Sequence, residues 1–146
     1  MAPIGGGPPV GSSNSFTGTA QALEIAGKRH VYAYSGTFAA SESVQTLFNF
    51  TSPGSGYIVA TLTVTAPIRM TAANITVGTT RGYQLDFNGQ TVGLYKVESF
   101  NEDMPSDSQI QILIPPFTAV VLTCIDSDDD ANMLGTANIT GRIYRD

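Results

Sequence analysis

The sequence predicts an all-β protein, an antiparallel sandwich preceded by a flexible N-terminal arm. Three observations carry that expectation. From Thr17 onward apolar and polar residues alternate with a period of two, and turn residues interrupt the alternation at intervals of roughly 8–12 residues. Glu, Lys, Arg and Ala never cluster at helical spacing. The charged fraction is 13%, about half the ~25% usual in globular domains, and Thr, Ser, Asn, Gln and Gly take its place. With 146 residues, 42% of them hydrophobic, the chain is long enough for one domain with its own core.

Residues 1–15 stand apart from this pattern. They hold Gly5, Gly6, Gly7 and Gly11 together with Pro3, Pro8 and Pro9, and have almost no apolar periodicity. Such a segment buries too little apolar surface to offset the entropy of ordering it. It is expected either to stay a solvated tail or to order on a partner, with Ile4, Pro8, Pro9 and Val10 as anchors. Residues 16–146 then form the single sandwich domain.

After a short run at Leu23–Ala26, strands are expected at 31–38 and 44–50. In 57–66, Ile58, Ala60, Leu62, Val64 and Ala66 share one face, while Thr61, Thr63 and Thr65 share the other. A short, weaker strand is read near 74–77. Asn88-Gly89 tolerates the positive φ angles of a type I′ turn, so 83–94 reads as a hairpin. In its simplest register Phe87 faces Gln90, Leu85 faces Val92 and Tyr83 faces Leu94. A second pair, 110–114 and 120–125, is joined through Pro115-Pro116-Phe117-Thr118, whose prolines cannot donate to a ladder. The last strand, 136–144, turns Ile139, Gly141 and Ile143 inward, and Arg142 and Tyr144 outward. Beyond Leu23–Ala26 this makes about eight strands, matching a jelly roll or another Greek-key sandwich.

Charge and composition exclude several classes of function. The net charge is −5 and the only adjacent basic residues are Lys28 and Arg29, so neither nucleic acid nor a membrane surface is an expected partner. No apolar run reaches the ~20 residues of a membrane span. The first residues, Met1 to Gly7, carry neither the basic nor the apolar part of a secretory signal, so that export route is not expected. Cys124 is the single cysteine and lies in an apolar run, where it reads as a small buried hydrophobe.

No catalytic role and no cofactor are expected. His30 is the only histidine, and no G-x-S-x-G turn accompanies it. One Cys and one His are too few for zinc. Asp126, Asp128 and Asp130 alternate as in the opening of a calcium loop, and they are the only residues that approach a metal-ligand pattern. The sixth position is Ala131 instead of glycine, and the twelfth is Ala137 instead of glutamate. A solvated acidic loop is therefore expected there, with an irregular calcium site, assisted by Glu102, Asp103 or Asp107 from another loop, as the alternative. Glu98, Glu102 and Asp103 are carboxylates of the type that hydrolyse glycosides, but no tryptophan is present to stack on a sugar.

Two stretches add a resemblance. His30-Val31-Tyr32-Ala33-Tyr34-Ser35-Gly36, with the strand Thr46-Leu47-Phe48-Asn49-Phe50, resembles small structural proteins of tailed bacteriophages. The turn Ile114-Pro115-Pro116-Phe117-Thr118 is similar to one in the same group. The resemblance implies a jelly-roll decoration, or cement, protein located on the virion. Its implied partners are the major capsid protein and further copies of itself, as a homotrimer, with the N-terminal arm reaching along the shell. The alternative is a receptor- or carbohydrate-binding sandwich module of a phage tail or adhesion protein.

Overall fold

The computed structural model describes residues 23–26, 30–66, 68–70, 75–77, 80–98 and 107–145. The regular elements among them are all strands. In chain order these are β1 (Leu23–Ala26), β2 (His30–Tyr34), β3 (Phe38–Ala40), β4 (Gln45–Thr51), β5 (Tyr57–Thr65), β6 (Ile68–Met70) and β7 (Ile75–Val77). There follow β8 (Thr80–Phe87), β9 (Gln90–Glu98), β10 (Asp107–Ile114), β11 (Ala119–Asp126), β12 (Asp130–Gly135) and β13 (Ala137–Tyr144).

Two sheets form the body. One has the spatial order β1-β2-β13-β5-β10 and the other β4-β11-β8-β9. Following the chain, β2 lies in the first sheet, β4 in the second, β5 in the first, β8 and β9 in the second, β10 in the first, β11 in the second and β13 in the first. That path is the double Greek key of a jelly roll. The pairings along both sheets are antiparallel. The expected sandwich is thus the observed architecture.

More strands are present than the alternation suggested. A small third sheet, β3-β12-β6-β7, lies beside the sandwich, and β1 extends the β5 sheet. The weaker strand read near 74–77 is β7, whereas β3 and β6, of three residues each, are too short for a period of two to register. The expected strand over 31–38 ends at Tyr34, because Gly36 takes a φ of +69° and turns the chain toward β3. The acidic stretch also departs from expectation. It is a loop only at its centre, with Asp126 closing β11 and Asp130 opening β12.

The inward faces meet in one core. Ile58, Ala60, Leu62 and Val64 of β5, with Ile139 and Ile143 of β13, pack against Phe48, Phe50, Leu85, Val120, Leu122 and Cys124 of the facing sheet. Cys124 is buried, as its apolar neighbours implied. Between Leu122 and Thr123 the register with β4 slips, and beside this bulge both Leu47 and Phe48 are buried. Two buried serines fasten the ends of the sandwich. Ser35 Oγ accepts from Ala137 N at 2.9 Å, and Ser52 Oγ accepts from Thr118 N at 2.8 Å and donates to Pro115 O at 2.6 Å.

The hairpin corrects one expectation. Asn88 and Gly89 have φ of 49° and 78°, as a type I′ turn requires, and Phe87 faces Gln90. Beyond Asp86, however, a bulge advances β9 by one residue. Leu85 faces Gly93 and Tyr83 faces Tyr95, where the simple register placed Val92 and Leu94. The slip turns Tyr95 toward the core and leaves Leu94 73% exposed. Gly93 makes room for it, since the Tyr95 hydroxyl lies 2.1 Å from where a Cβ would stand.

Core packing is expected to dominate stability. Leu122→Ala should lower the unfolding free energy by about 2–5 kcal/mol, through lost transfer energy and the cavity left behind. Urea unfolding followed by tyrosine fluorescence checks this, with an unchanged midpoint contradicting the central position of Leu122.

Candidate functional site

Among the described residues the largest fully buried side chain is a charged one. Arg81, on β8, points inward where the sandwich meets the small sheet, and it has no exposed surface. Asp126, at the end of β11, neutralises it. Nε donates to Oδ1 at 2.5 Å and Nη2 donates to Oδ2 at 3.0 Å, a two-pronged pairing. The register places these two residues directly opposite each other. Ser41 N also donates to Asp126 Oδ2 at 3.0 Å, while Asp126 N donates to Ser41 O at 2.8 Å. The guanidinium lies 4.3 Å from the centre of the Phe38 ring, a cation–π contact that ties β3 to β8. Arg81 Nη1 has no hydrogen-bond partner among the described residues and lies 2.0 Å from the position a Cβ would take at Gly135. Glycine at 135 is what lets the guanidinium reach Asp126.

Tyr83 and Cys124 surround this pair. The Tyr83 hydroxyl donates to Thr65 O at 2.6 Å. Burial pushes its pKa up from the ordinary 10.0 to about 12, against the opposing effect of Arg81. Burial likewise pushes the Cys124 thiol up from 9.0 to about 12, so it is a poor nucleophile in the folded chain. For Arg81 burial is the largest influence and lowers the pKa, but its hydrogen bonds to Asp126 and the charges of Tyr83 and Asp126 together hold it above its ordinary value. The cluster is built for structure: its charges face each other and not solvent.

The acidic stretch is divided by this arrangement. Asp126 turns inward to Arg81, so it does not join the solvated loop in which the sequence placed it. Asp128 is exposed, and Asp130 Oδ1 accepts from Asn132 N at 2.9 Å. Asp129 Oδ1 accepts from Glu42 N at 2.6 Å. Among the described residues no three His, Cys, Asp or Glu side chains gather as a metal-holding group. Ile4, Pro8, Pro9 and Val10, the arm residues read as anchors, lie outside the described residues, as do Glu102 and Asp103. His30 is exposed at the start of β2, opposite Arg142. Glu98 is paired with Lys96, which holds its carboxyl below the usual range.

Two surface features were not legible in the sequence. On the outer face of the β8 sheet, a groove of about 550 Å³ runs over Gly82, Gln84 and Asp86, between Leu94 and Lys96 on one side and Val44, Thr123 and Ile125 on the other. Gln84 Nε2 donates to Asp86 Oδ1 at 3.0 Å and to Thr91 Oγ1 at 3.1 Å across its floor. The bulge in β9 makes this groove possible by sending Leu94 outward. The second feature is an apolar corner. Tyr57 and Tyr144 stack with ring centres 5.6 Å apart, Val59 and Leu113 are neighbours on β5 and β10, and Phe117 lies over Gly54. All five are exposed, Phe117 at 75%, and Phe117 also takes a φ of +56°, a conformation that bulky residues rarely hold.

These features define a jelly-roll sandwich with a sealed, charge-neutralised interior and its distinctive chemistry on the outer faces. No protein family matches the chain, and no curated protein matches it. Among solved structures, dimeric latent PorU from Porphyromonas gingivalis is similar over 98% of this chain, with 14% identity and a TM-score of 0.44. The chain covers 14% of that protein's length, a likeness too distant to bear on function.

Two outcomes follow from the buried cluster. Asp126→Ala should destabilise the fold by about 3–5 kcal/mol because it leaves an uncompensated guanidinium, while Arg81→Met with Asp126→Leu should recover most of that loss. Denaturant titration of the single and double variants separates the cases. The pH dependence has a definite sign. Between about 9 and 12 the unfolded chain has released protons that Tyr83 and Cys124 still hold when folded. Their contribution is fully present below pH 9 and is lost as the pH rises toward 12. Tyr83→Phe with Cys124→Ala should flatten that alkaline decline in thermal melts.

Proposed function

We propose that this protein is a structural component of a virion, which binds the outer surface of an assembled bacteriophage head as an oligomer and stabilises it. The apolar corner is the observation that carries a binding role. Tyr57, Val59, Leu113, Phe117 and Tyr144 together leave roughly 400–500 Å² of side-chain surface in water, within the range of the largest patch on a monomer. Beside it the outer face of the β5 sheet carries Thr61, Thr63, Gln109, Gln111, Asn138 and Thr140, which water solvates readily, and beyond them on β2 the half-buried ring pair Tyr32 and Tyr34. Held at positive φ, Phe117 presents its ring outward at the tip of a turn that Ser52 pins from below. The capsid as partner rests on the resemblance carried by residues 30–36, 46–50 and 114–118. Several weak contacts made by one oligomer would add up to firm attachment.

A second reading, a carbohydrate- or receptor-binding module, is favoured by the groove on the β8 sheet. Its size suits one or two sugar rings, and Gln84, Asp86 and Thr123 offer hydrogen-bonding groups between apolar walls.

Co-sedimentation with undecorated bacteriophage heads tests the first reading. Binding to assembled heads and not to free capsid subunits is expected. Phe117→Asp with Leu113→Asp should weaken it at least about tenfold while leaving the melting temperature within a few degrees. Deleting residues 1–15 should weaken it as well if the arm anchors the protein. Heads that never bind, together with a glycan that does and is lost on Asp86→Ala, would transfer the assignment to the second reading.

A further inference from the structure

A sheet edge offers unpaired N–H and C=O groups to any strand that fits, and soluble proteins usually blunt such edges. Two of the four edges of this sandwich, β4 and β9, are blunted, and the described part of β1 is four residues long. β4 is bulged against β11, and β9 is bulged against β8 and presents Lys96, 67% exposed, beside Glu98. β10 has none of these devices. Its register with β5 is unbroken over eight pairs, and from Ser108 to Ile114 it contains no charge, no glycine and no proline. No strand pairs with its outer side among the described residues.

The direction of its free groups follows from the ladder. Thr65 N donates to Thr136 O at 3.2 Å, so the backbone groups of Thr65 face β13. Alternate residues of an antiparallel strand face opposite neighbours, so those of Val64, Leu62 and Ala60 face β10. Their partners Ser108, Ile110 and Ile112 therefore use their backbone groups within the sheet. Gln109, Gln111 and Leu113 direct theirs to the open edge.

We propose that β10 is a self-association edge, which pairs antiparallel with β10 of a second copy about a two-fold axis at Gln111. This does not depend on the capsid reading. The strand is complementary to itself in that register. Gln111 meets Gln111 of the second copy and Gln109 meets Leu113, so the three residues with free groups form about six main-chain hydrogen bonds. The ladder also ends cleanly. Asp107 would face Pro115 of the second copy, which has no N–H to donate, so the two carboxylates stay at opposite ends. The pair would double the five-stranded sheet. An edge of seven residues buries less than the ~800 Å² per partner of a standard interface, so association is expected at roughly micromolar concentrations.

Sedimentation of the full chain from about 1 to 500 μM tests the pairing, with a monomer–dimer equilibrium expected. Gln111→Lys and Gln111→Glu each place like charges together on the axis and should weaken association at least about tenfold. Mixing the two variants should restore it, because lysine then faces glutamate. In hydrogen exchange, the Gln109, Gln111 and Leu113 amides should gain protection with concentration, while Ile110 and Ile112 stay protected throughout. A monomer over the whole range would overturn the proposal. So would a trimer, as the phage resemblance implies, whose mass neither charge variant alters.

Discussion

A guanidinium with no access to water must be neutralised inside the fold, and the placement of Arg81 governs how this molecule is joined together. Its partner Asp126 sits directly opposite on β11, and the observed register of the two central strands of the β8 sheet is the one that brings the charges together. Around them Phe38 of β3, Gly135 of β12 and the Ser41 backbone complete the enclosure. The small sheet is thereby attached to the sandwich by a polar cluster, where the rest of the core relies on apolar packing. Removing either charge alone would be costly, whereas the pair as a whole need not add net stability. Its evident effect is on specificity of register and on the attachment of β3 and β12.

A single extra residue in β9 has a comparable reach. In the simplest register of the hairpin, Val92 and Leu94 would be inside and Tyr95 outside. The bulge reverses this, pairing Tyr95 with Tyr83 across the inner face and sending Leu94 to the surface. One outcome is a denser aromatic core near the buried ion pair. The other is a groove with an apolar wall over Gly82. Bulges thus act here as they commonly do in sandwiches, ending regular pairing and re-aiming side chains. That β10, which lies at the open edge of the other sheet, lacks any such interruption sets it apart from β9.

The outer surfaces divide the work. The broad β5 face is a lattice of threonine, glutamine and asparagine, which hydrates easily and holds few charges. Its most exposed apolar residues, Tyr57, Tyr144, Val59 and Leu113, lie toward one end, with Phe117 on the turn after β10, while Tyr32 and Tyr34 form a half-buried ring pair on β2. The turn at Phe117 is secured by Ser52 and its prolines, so the exposed ring is held in place. A protein that attaches to a large, repetitive surface has use for this kind of rigid contact, repeated by association of several copies.

The chain's own pattern was enough to determine the all-β class, most strand positions and the inward residues of β5 and β13. The physical reason is that a strand buried on one face must alternate, and Asn88-Gly89 admits positive φ where most residues do not. The same local chemistry placed Cys124 in the interior. Tertiary structure decided the rest. Arg81 and Asp126 look like ordinary surface charges in sequence, because 45 residues separate them and only strand pairing makes them neighbours. The β9 bulge is likewise invisible, since both registers satisfy an alternating pattern until Tyr83 needs a partner. In the small sheet β3 and β6 carry too few residues to show a period at all, although β7 was legible near 74–77. The groove and the apolar corner each join residues from separate strands, and β10 becomes an edge only once the sheets have formed.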